Sequence, residues 1–185
     1  MTKFILHGGG TNKPLEANKQ FFAEILSNLS HGSRVLLVYL ARDEQDWASS
    51  LEQDKLNFSS ELEIKLEVAD PNPEKLAQQI KSSDAVYVKG GNTFRLLEKI
   101  KQLPNFSELI KGKVYAGSSA GMYLVCKYFY ENDADKTGTG LGILPIMGLA
   151  HWSQEKQDNF QKLQNVDKNL PVVKLPESQF VVLEQ

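Results

Sequence analysis

Short apolar runs alternate along the chain with longer segments whose apolar residues recur at helical spacing. The runs predict strands over residues 4–6, 34–40, 62–68, 85–88, 113–116 and 180–183. The periodic segments predict helices over residues 15–29, 72–81, 93–101 and 120–129. Alternating strands and helices favour a mostly parallel sheet covered by helices on both faces. We therefore predict a three-layer, doubly wound α/β fold in which residues 1–185 form one domain.

Three of the four loops that follow predicted strands are rich in glycine, and the loop at 41–43 is not. The four loops cover residues 7–10, 41–43, 89–93 and 117–121. In an open parallel sheet, the loops at the carboxyl ends of the strands line one crevice where ligands bind. Residues 131–142 are polar and glycine-rich, and the apolar residues 143–152 are interrupted by Pro145 and Gly148. We expect this segment to return toward the crevice.

The composition narrows the class of partner. Lysine and arginine total 21, aspartate and glutamate total 23, and the net charge of −2 favours neither nucleic acid nor an anionic membrane. Cys126 is the single cysteine and the three histidines are scattered, which predicts neither a disulfide nor a structural zinc site. No run approaches the ~20 apolar residues that span a bilayer, and the N-terminal apolar run is too short for a secretory signal. We expect a cytoplasmic protein with a small partner.

The strongest chemical signal is Ser119, in the sequence Gly117-Ser118-Ser119-Ala120-Gly121 between a predicted strand and a predicted helix. This order of strand, tight turn and helix is typical of a nucleophile elbow. Glycines two positions away on either side let the turn fold sharply and lift the serine hydroxyl into the crevice. The helix that follows contributes partial positive charge and a free N–H near an oxyanion. The pattern predicts that Ser119 is the nucleophile of a serine hydrolase.

A serine nucleophile needs a base, and the chain has three histidines. His31 lies in a turn after the first helix, where we expect it at the edge of the sheet opposite the crevice. His7 ends the first strand at the correct edge, but this position is also that of a buried core residue. His151 follows the returning apolar segment. We therefore favour His151 over His7 as the base.

The residue types leave the acidic partner of the base open. Asp133 and Asp135 lie between the serine and the favoured histidine, and Glu177 follows that histidine in Leu-Pro-Glu-Ser. Each residue also has a non-catalytic interpretation. Asp133 and Asp135 fit a solvated polar loop, and Glu177 fits a surface turn after proline. All three residues are candidates on this reasoning.

The glycine loop at residues 89–94 offers backbone N–H groups to the crevice. Such groups at a helix start bind phosphate in nucleotide-binding proteins, and they also stabilise an oxyanion. The loop lacks the Gly-x-Gly-x-x-Gly and Gly-Lys-Ser/Thr patterns of nucleotide sites. We therefore give nucleotide binding little weight against oxyanion stabilisation, in which the Ala120 N–H would be the second donor.

Taken in order, these motifs resemble the serine peptidases typified by aspartyl dipeptidase, also called peptidase E, to which cyanophycinase is related. The resembling stretches are residues 8–10, 90–97, 115–121, 132–133, 145–151 and 175–177, and they span nearly the whole chain. The resemblance implies a fold like that of class I glutamine amidotransferases. It also implies hydrolysis of very short or aspartyl peptides through an acyl-enzyme, with no metal or organic cofactor.

By position, the resemblance implies a triad of Ser119, His151 and Glu177. It implies that the amides of Gly91 and Ala120 form the oxyanion hole. The expected partner is a small peptide substrate, and a homodimer is left open.

The resemblance does not fix the third triad member or the substrate. Asp133 matches an acidic position of the family, which keeps it as a supporting acid or an alternative to Glu177. An aspartyl substrate needs a cation for its carboxylate, yet no arginine follows Arg95, so that Lys156 or Lys162 would have to serve.

Two other functions fit the same residues. An esterase would use Ser119, Asp133 and His151, with residues 7–10 as a lipase-like oxyanion loop, although 185 residues is short for that fold. A noncatalytic metabolite-binding module would use only the glycine loops. We predict a serine-type peptidase of the dipeptidase or exopeptidase kind.

Overall fold

The computed structural model describes residues 1–185, apart from the side chain of Leu15. The strands are β1 (Lys3–His7), β2 (Arg34–Val38), β3 (Lys65–Val68), β4 (Ala85–Val88), β5 (Val114–Ser118), β6 (Cys126–Glu131), β7 (Lys136–Thr139), β8 (Leu144–Leu149), β9 (Val172–Lys174) and β10 (Phe180–Glu184). The α-helices are α1 (Leu15–Leu26), α2 (Trp47–Asn57), α3 (Pro73–Ser82), α4 (Thr93–Ile100), α5 (Phe106–Leu109), α6 (Ala120–Val125) and α7 (Gln157–Gln164).

The larger sheet has the strand order β10-β1-β5-β4-β2-β3. Five of its strands are parallel, and β10 pairs antiparallel with β1 at one edge. The register aligns His7 with Ser118, and Gly117 of the same strand with Val88. The carboxyl ends of β1, β5 and β4 therefore lie level, so that the loops that follow them meet at one edge of the sheet.

Helices cover both faces of this sheet because successive side chains of a strand point to opposite faces. Phe4 and Leu6 of β1 join the apolar layer under α3, α4, α5 and α6, whereas Ile5 packs on the other face with Phe21 and Phe22 of α1. The inner strands are apolar along most of their length, as expected for parallel strands buried on both faces. The predicted three-layer, mostly parallel α/β fold is confirmed.

A smaller second sheet, which the sequence pattern did not predict, has the order β7-β6-β8-β9. β6 pairs parallel with β8 and antiparallel with β7, and β8 pairs parallel with β9. β6 ends at Glu131 and β8 ends two residues before His151. The second sheet thus brings both residues back to the edge where the loops of the main sheet meet. Among the described helices, none combines the length and the apolar character needed to cross a membrane.

The predicted helix over residues 120–129 is wrong in its second half. α6 ends at Val125, and β6 begins at Cys126. Three of the residues from Lys127 to Glu131 are aromatic, and aromatic side chains favour strands. Pairing with β7 on one side and β8 on the other prevails over the helical spacing of the apolar residues. The polar segment 131–142, for which no strand or helix was predicted, contains β7. Helix α2 was also not predicted, because few apolar residues mark its buried side.

One buried ion pair joins α2 to the end of β4. Lys89 Nζ lies 2.7 Å from Asp54 Oδ1, and their side chains are 2% and 0% exposed. Tyr39 donates its hydroxyl to the other carboxylate oxygen of Asp54 at 2.9 Å, and Asn57 donates its amide at 3.1 Å. The Asp54 carboxylate thus accepts three hydrogen bonds, and hydrogen bonding of this kind is what makes a buried charge tolerable.

Lys89→Met should lower the free energy of unfolding by about 3–5 kcal/mol, because it leaves the Asp54 carboxylate buried without its cation. Urea unfolding followed by far-UV circular dichroism measures the loss. Lys111→Met is the matched control, since Lys111 pairs with Glu108 on the surface and exposed pairs contribute little. An equal loss in the two variants would show that burial does not set the energy of the Lys89 pair.

Candidate active site

The structure brings Ser119, His151 and Glu177 into one hydrogen-bonded chain. Ser119 Oγ lies 2.9 Å from His151 Nε2, and His151 Nδ1 lies 2.7 Å from Glu177 Oε1. A carboxylate can only accept, so the ring donates its Nδ1–H to Glu177 and its Nε2 accepts the serine hydroxyl proton. This is the arrangement by which a general base is oriented toward a serine nucleophile.

Ser119 occupies a strained backbone position at the junction of β5 and α6. Its φ of 50° and ψ of −105° lie outside the regions that side-chain-bearing residues normally adopt. A Cβ on Gly117 would come within 2.5 Å of the Gly121 backbone, and a Cβ on Gly121 within 2.4 Å of Val88 O. Both glycines are therefore required by close approach of the backbone, as predicted for a nucleophile elbow.

Three successive carbonyls at the end of β1 hold the three segments that carry this chain of residues. His7 O accepts the N–H of Ser119 at 2.9 Å, and Gly8 O accepts the N–H of His151 at 2.7 Å. Gly9 O accepts the N–H of Ser178, the residue after Glu177, at 2.9 Å. The spacing of the three side chains is thus set by one short stretch of backbone.

Residues around His151 fix the position of its ring. The backbone of His151 is left-handed, with a φ of 52°. Gly9 lies flat against the imidazole, since a Cβ there would fall 2.1 Å from Cε1. On the preceding residue, Ala150, the N–H is bonded to the hydroxyl of Tyr123 and the C=O accepts the side-chain amide of Asn132, both at 2.9 Å. The ring is held by backbone contacts as well as by Glu177.

Glu177 has a second partner in Lys13, which lies in the loop after the glycines of β1. Lys13 Nζ is 2.7 Å from Glu177 Oε2, while His151 uses Oε1. The ammonium group of Lys13, followed by the hydrogen bond from His151, holds the pKa of Glu177 below its usual value. The carboxylate is therefore ionised at neutral pH. Lys13 was not singled out in the sequence, where nothing links a loop lysine to a residue so far along the chain.

The other two histidines lie in different surroundings. His7 is fully buried, and its Nδ1 accepts the N–H of Gly9 and lies 3.2 Å from Ser118 Oγ. Burial lowers the pKa of His7 to about 4, so the ring is neutral at neutral pH. His31 lies on the surface 2.8 Å from Glu63. Neither ring has a hydrogen bond to Ser119 within the described structure.

The two aspartates considered as alternatives to Glu177 have no described hydrogen bond to His151. Asp133 lines the cavity in front of Ser119, but the described contacts of the His151 ring nitrogens are with Ser119 and Glu177. Asp135 accepts the hydroxyl of Tyr130 at the outer end of the second sheet. Asp133 is thus placed near the site without orienting the histidine.

A cavity of about 390 Å³ opens in front of Ser119, and it adjoins a second of about 340 Å³. Glu131 and Asp133 line both, while Lys156 lines the first and donates to His151 O at 2.6 Å. Thr93 donates its hydroxyl to Glu131 at 2.5 Å, but no cation pairs with this carboxylate among the described residues. Burial raises the pKa of Glu131. Carboxyl groups thus outnumber the one lysine among the residues that line the two cavities.

Of the two residues named for an oxyanion hole, Gly91 lines this cavity and Ala120 directly follows Ser119 in the chain. Gly91 lines the cavity together with Ser119. Ala120 is the first residue of α6, so its N–H has no intrahelical partner. A Cβ on Gly90 would lie 3.1 Å from Ser119 Cβ, so the glycine loop packs directly against Ser119.

The glycines of residues 8–10 do not line the cavity in the described structure. They pack instead against residues 175–177 and the His151 ring. The lipase-like oxyanion role considered for this loop therefore has no geometric support. In the described chain, no cluster of three or more histidine, cysteine, aspartate or glutamate side chains is arranged to hold a metal ion.

The chain matches a known family along almost its whole length. The model of peptidase family S51 matches residues 4–185. The chain is 28% identical over 141 residues to the uncharacterized peptidase Lmo0363 of Listeria monocytogenes, covering 71% of this chain and 68% of that protein. It is 32% identical over 106 residues to the uncharacterized peptidase Lin0382 of Listeria innocua, covering 54% of this chain and 50% of that protein.

Two crystal structures share the fold. One, described as a peptidase E protein of Listeria monocytogenes, is 18% identical, with a TM-score of 0.64 over 100% of this chain and 99% of the other. The second, a peptidase from an acI-B1 actinobacterium, is 17% identical, with a TM-score of 0.74 over 100% of this chain and 84% of the other. At these identities the structural likeness concerns the fold alone.

Lys13→Met should raise the pKa of Glu177, because the variant removes the ammonium group that contributes most to lowering this pKa while the carboxyl stays in place. The carboxylate would then be protonated at a higher pH as the solution is acidified. An NMR titration of the Glu177 side-chain carboxyl carbon measures the change. Lys19→Met, which removes an exposed partner of Glu16, should leave the titration unchanged. An unchanged pKa of Glu177 in Lys13→Met would contradict the assignment of Lys13 as the main cause of its low pKa.

Proposed function

Because this chain belongs to peptidase family S51, a family of serine peptidases, we propose that it hydrolyses short peptides through an acyl-enzyme formed on Ser119. The observation that carries this proposal is the unbroken chain of hydrogen bonds from Ser119 Oγ through His151 to Glu177. A serine hydroxyl at neutral pH needs such a base to become a nucleophile.

In the proposed reaction, Ser119 Oγ attacks the peptide carbonyl carbon while His151 Nε2 takes the hydroxyl proton. Glu177 stabilises the imidazolium that forms and keeps the ring in the productive tautomer. The tetrahedral intermediate then collapses, the C–N bond breaks, and His151 gives its proton to the leaving amine. Water, deprotonated by the same histidine, attacks the acyl-enzyme and releases the acid product.

The negative oxygen of the tetrahedral intermediate needs preorganised donors. We assign this role to the amides of Gly91 and Ala120. Support comes from the position of Gly91 beside Ser119 in the cavity and from the unpaired first N–H of α6. The partial positive charge at the start of α6 adds to the attraction.

The charges of the cleft suit a substrate with free ends. Glu131 and Asp133 can bind the α-ammonium of a short peptide, and Lys156 is the cation that a substrate carboxylate would meet. Arg42 and Arg95 line a different, smaller cavity of about 200 Å³. We therefore propose an exopeptidase, with dipeptides among its substrates and neutral or basic N-terminal residues preferred over aspartyl ones.

Variants of the three residues test the mechanism. Ser119→Ala and His151→Ala should lower kcat/KM by about 10⁴-fold or more, and Glu177→Gln should lower it by about 10²–10⁴-fold. His7→Ala and Asp133→Asn should lose much less, since neither side chain bonds to the Ser119 hydroxyl or the His151 ring. Kinetics on a dipeptide panel measure the losses.

Labelling of folded protein with a fluorophosphonate probe gives an independent result, because the probe modifies an activated serine. Ser119 should be modified in the wild-type chain and not in His151→Ala. Normal turnover by Glu177→Gln would overturn the triad assignment. Absence of labelling in the wild-type chain would favour a noncatalytic binding module.

The proposed recognition of the α-ammonium predicts that acetylating the N-terminus of a good substrate lowers kcat/KM by about tenfold or more, roughly one charged contact. Glu131→Gln should lower kcat/KM for the free peptide and leave that for the acetylated peptide nearly unchanged. Lys156→Met, which removes the cation proposed for the substrate carboxylate, should by contrast lower kcat/KM for the free and the acetylated peptide alike. Parallel panels with N-terminal Asp, Ala and Lys rank the side chains. Equal hydrolysis of free and acetylated peptides by the wild-type enzyme would rule out recognition of the free N-terminus.

A further inference from the structure

Arg42 bonds to the peptide unit that carries one of the two proposed oxyanion donors. Its Nε donates to Gly90 O at 3.0 Å. The Gly90 carbonyl and the Gly91 N–H belong to the same planar peptide unit, in which the C=O and N–H bonds point in opposite directions. Whatever fixes the direction of Gly90 O therefore fixes the direction of the Gly91 N–H.

The Gly90 C=O and the Gly91 N–H lie between two separate cavities. Arg42 lines the cavity of about 200 Å³ that also holds Arg95, and Gly91 lines the cavity in front of Ser119. With Gly90 O held on the Arg42 side, the Gly91 N–H is directed to the Ser119 side. This is where the negative oxygen of a tetrahedral intermediate would lie.

The peptide unit needs such a contact because it lies between two glycines. A Cβ on Gly91 would clash at 2.4 Å from Ala41 O, and a Cβ on Gly90 would be a tight fit at 3.1 Å from Ser119 Cβ. The absence of side chains that allows this close packing also removes the steric barrier to rotation of the peptide plane. Hydrogen bonds must therefore set its orientation.

The loop that carries Arg42 is itself firmly attached. Arg42 N–H is bonded to Tyr39 O at 2.8 Å, and Asn92 N–H is bonded to Ala41 O at 2.8 Å. The first bond closes the loop after β2, and the second ties this loop to the loop after β4. The backbone that carries the guanidinium group is therefore held in place. Arg42 has no carboxylate within 4.0 Å in the described structure, which leaves its charge available to the carbonyl.

We propose that Arg42 is a positioning residue that orients and polarises the Gly90–Gly91 peptide so that the Gly91 N–H serves the oxyanion. A charge-assisted bond to the carbonyl also makes the N–H of the same unit a stronger donor. The inference rests on the proposed function, because it needs an oxyanion at this place. Arg42 itself does not touch the substrate.

The test compares Arg42→Met, Arg42→Lys and, for rescue by added guanidinium, Arg42→Ala with Arg95→Met. Arg95 is the matched control, since it is a neighbouring arginine whose guanidinium group pairs with exposed Asp43 at 2.7 Å and has no described bond to the glycine loop. kcat and KM are measured on a peptide that the wild-type enzyme cleaves. Inhibition constants are measured for a peptide boronic acid, whose serine adduct is tetrahedral, and for the amine product.

In Arg42→Met, kcat should fall about 10–100-fold, part of the loss that follows deletion of an oxyanion donor. KM and the affinity for the amine product should stay within about twofold of the wild-type values, and the affinity for the boronic acid should fall in parallel with kcat. Arg42→Lys should lose nearly as much as Arg42→Met, because lysine lacks the directed Nε–H. Millimolar guanidinium should restore part of kcat to Arg42→Ala, and Arg95→Met should behave as the wild type.

Two results overturn the inference while leaving the proposed function in place. One is unchanged kcat and boronic acid affinity in Arg42→Met. The other is a loss of all parameters together with a lower Tm and no rescue by guanidinium, which would indicate a structural role only. If the wild-type chain neither cleaves peptides nor reacts with a fluorophosphonate, the proposed function fails, and the inference fails with it.

Discussion

The arrangement of the site depends on three carbonyl groups in a row at the carboxyl end of β1. His7, Gly8 and Gly9 accept backbone N–H groups from Ser119, His151 and Ser178. Each of these donors belongs to a different segment of the chain. Because successive carbonyls of one short stretch have fixed spacing, the stretch aligns the serine, the histidine and the glutamate next to Ser178 without any side chain of its own.

Glycines make this alignment possible. The three segments approach β1 so closely that side chains on Gly8, Gly9 or Gly10 would meet the backbone of residues 175–176, the imidazole of His151 or the carboxylate of Glu177. The same principle governs the other side of Ser119, where Gly90 lies against the nucleophile. The cost of such contacts is backbone strain, and left-handed φ angles occur at Ser119, His151 and Ser178. Surrounding hydrogen bonds keep these conformations populated.

The second sheet supplies what the main sheet lacks. β6 carries Glu131 to the cleft, and β8 leads to Ala150 and His151, which Tyr123 and Asn132 hold in place through Ala150. The charges of the cleft therefore come largely from outside the parallel sheet, whereas Ser119 and the glycine loops come from within it. In such an arrangement Ser119 can stay fixed while the charged residues on the second sheet vary, as is common where function lies on loops around a rigid scaffold.

The sequence by itself determined the features that depend on neighbours along the chain. The apolar runs marked the parallel strands, the glycines around Ser119 marked the sharp turn, and the position of His7 at a strand end indicated a buried residue. Local patterns suffice for these features because strand formation and turn geometry follow from adjacent residues. Residues 126–131 show where local patterns fail. Their helical spacing predicted a helix, whereas pairing with β7 and β8 makes them a strand.

Only the tertiary structure decided which distant residues meet. Residue types and order left Asp133 and Glu177 as equal partners for a histidine, and the resemblance to peptidase E favoured Glu177 without excluding Asp133. The fold places the Glu177 carboxylate, and not that of Asp133, at His151 Nδ1. It also brings Lys13 to Glu177 and Arg42 to Gly90. Such contacts join segments far apart in the chain, and the free energy that selects them comes from packing and hydrogen bonding of the whole fold, which no short stretch of sequence contains.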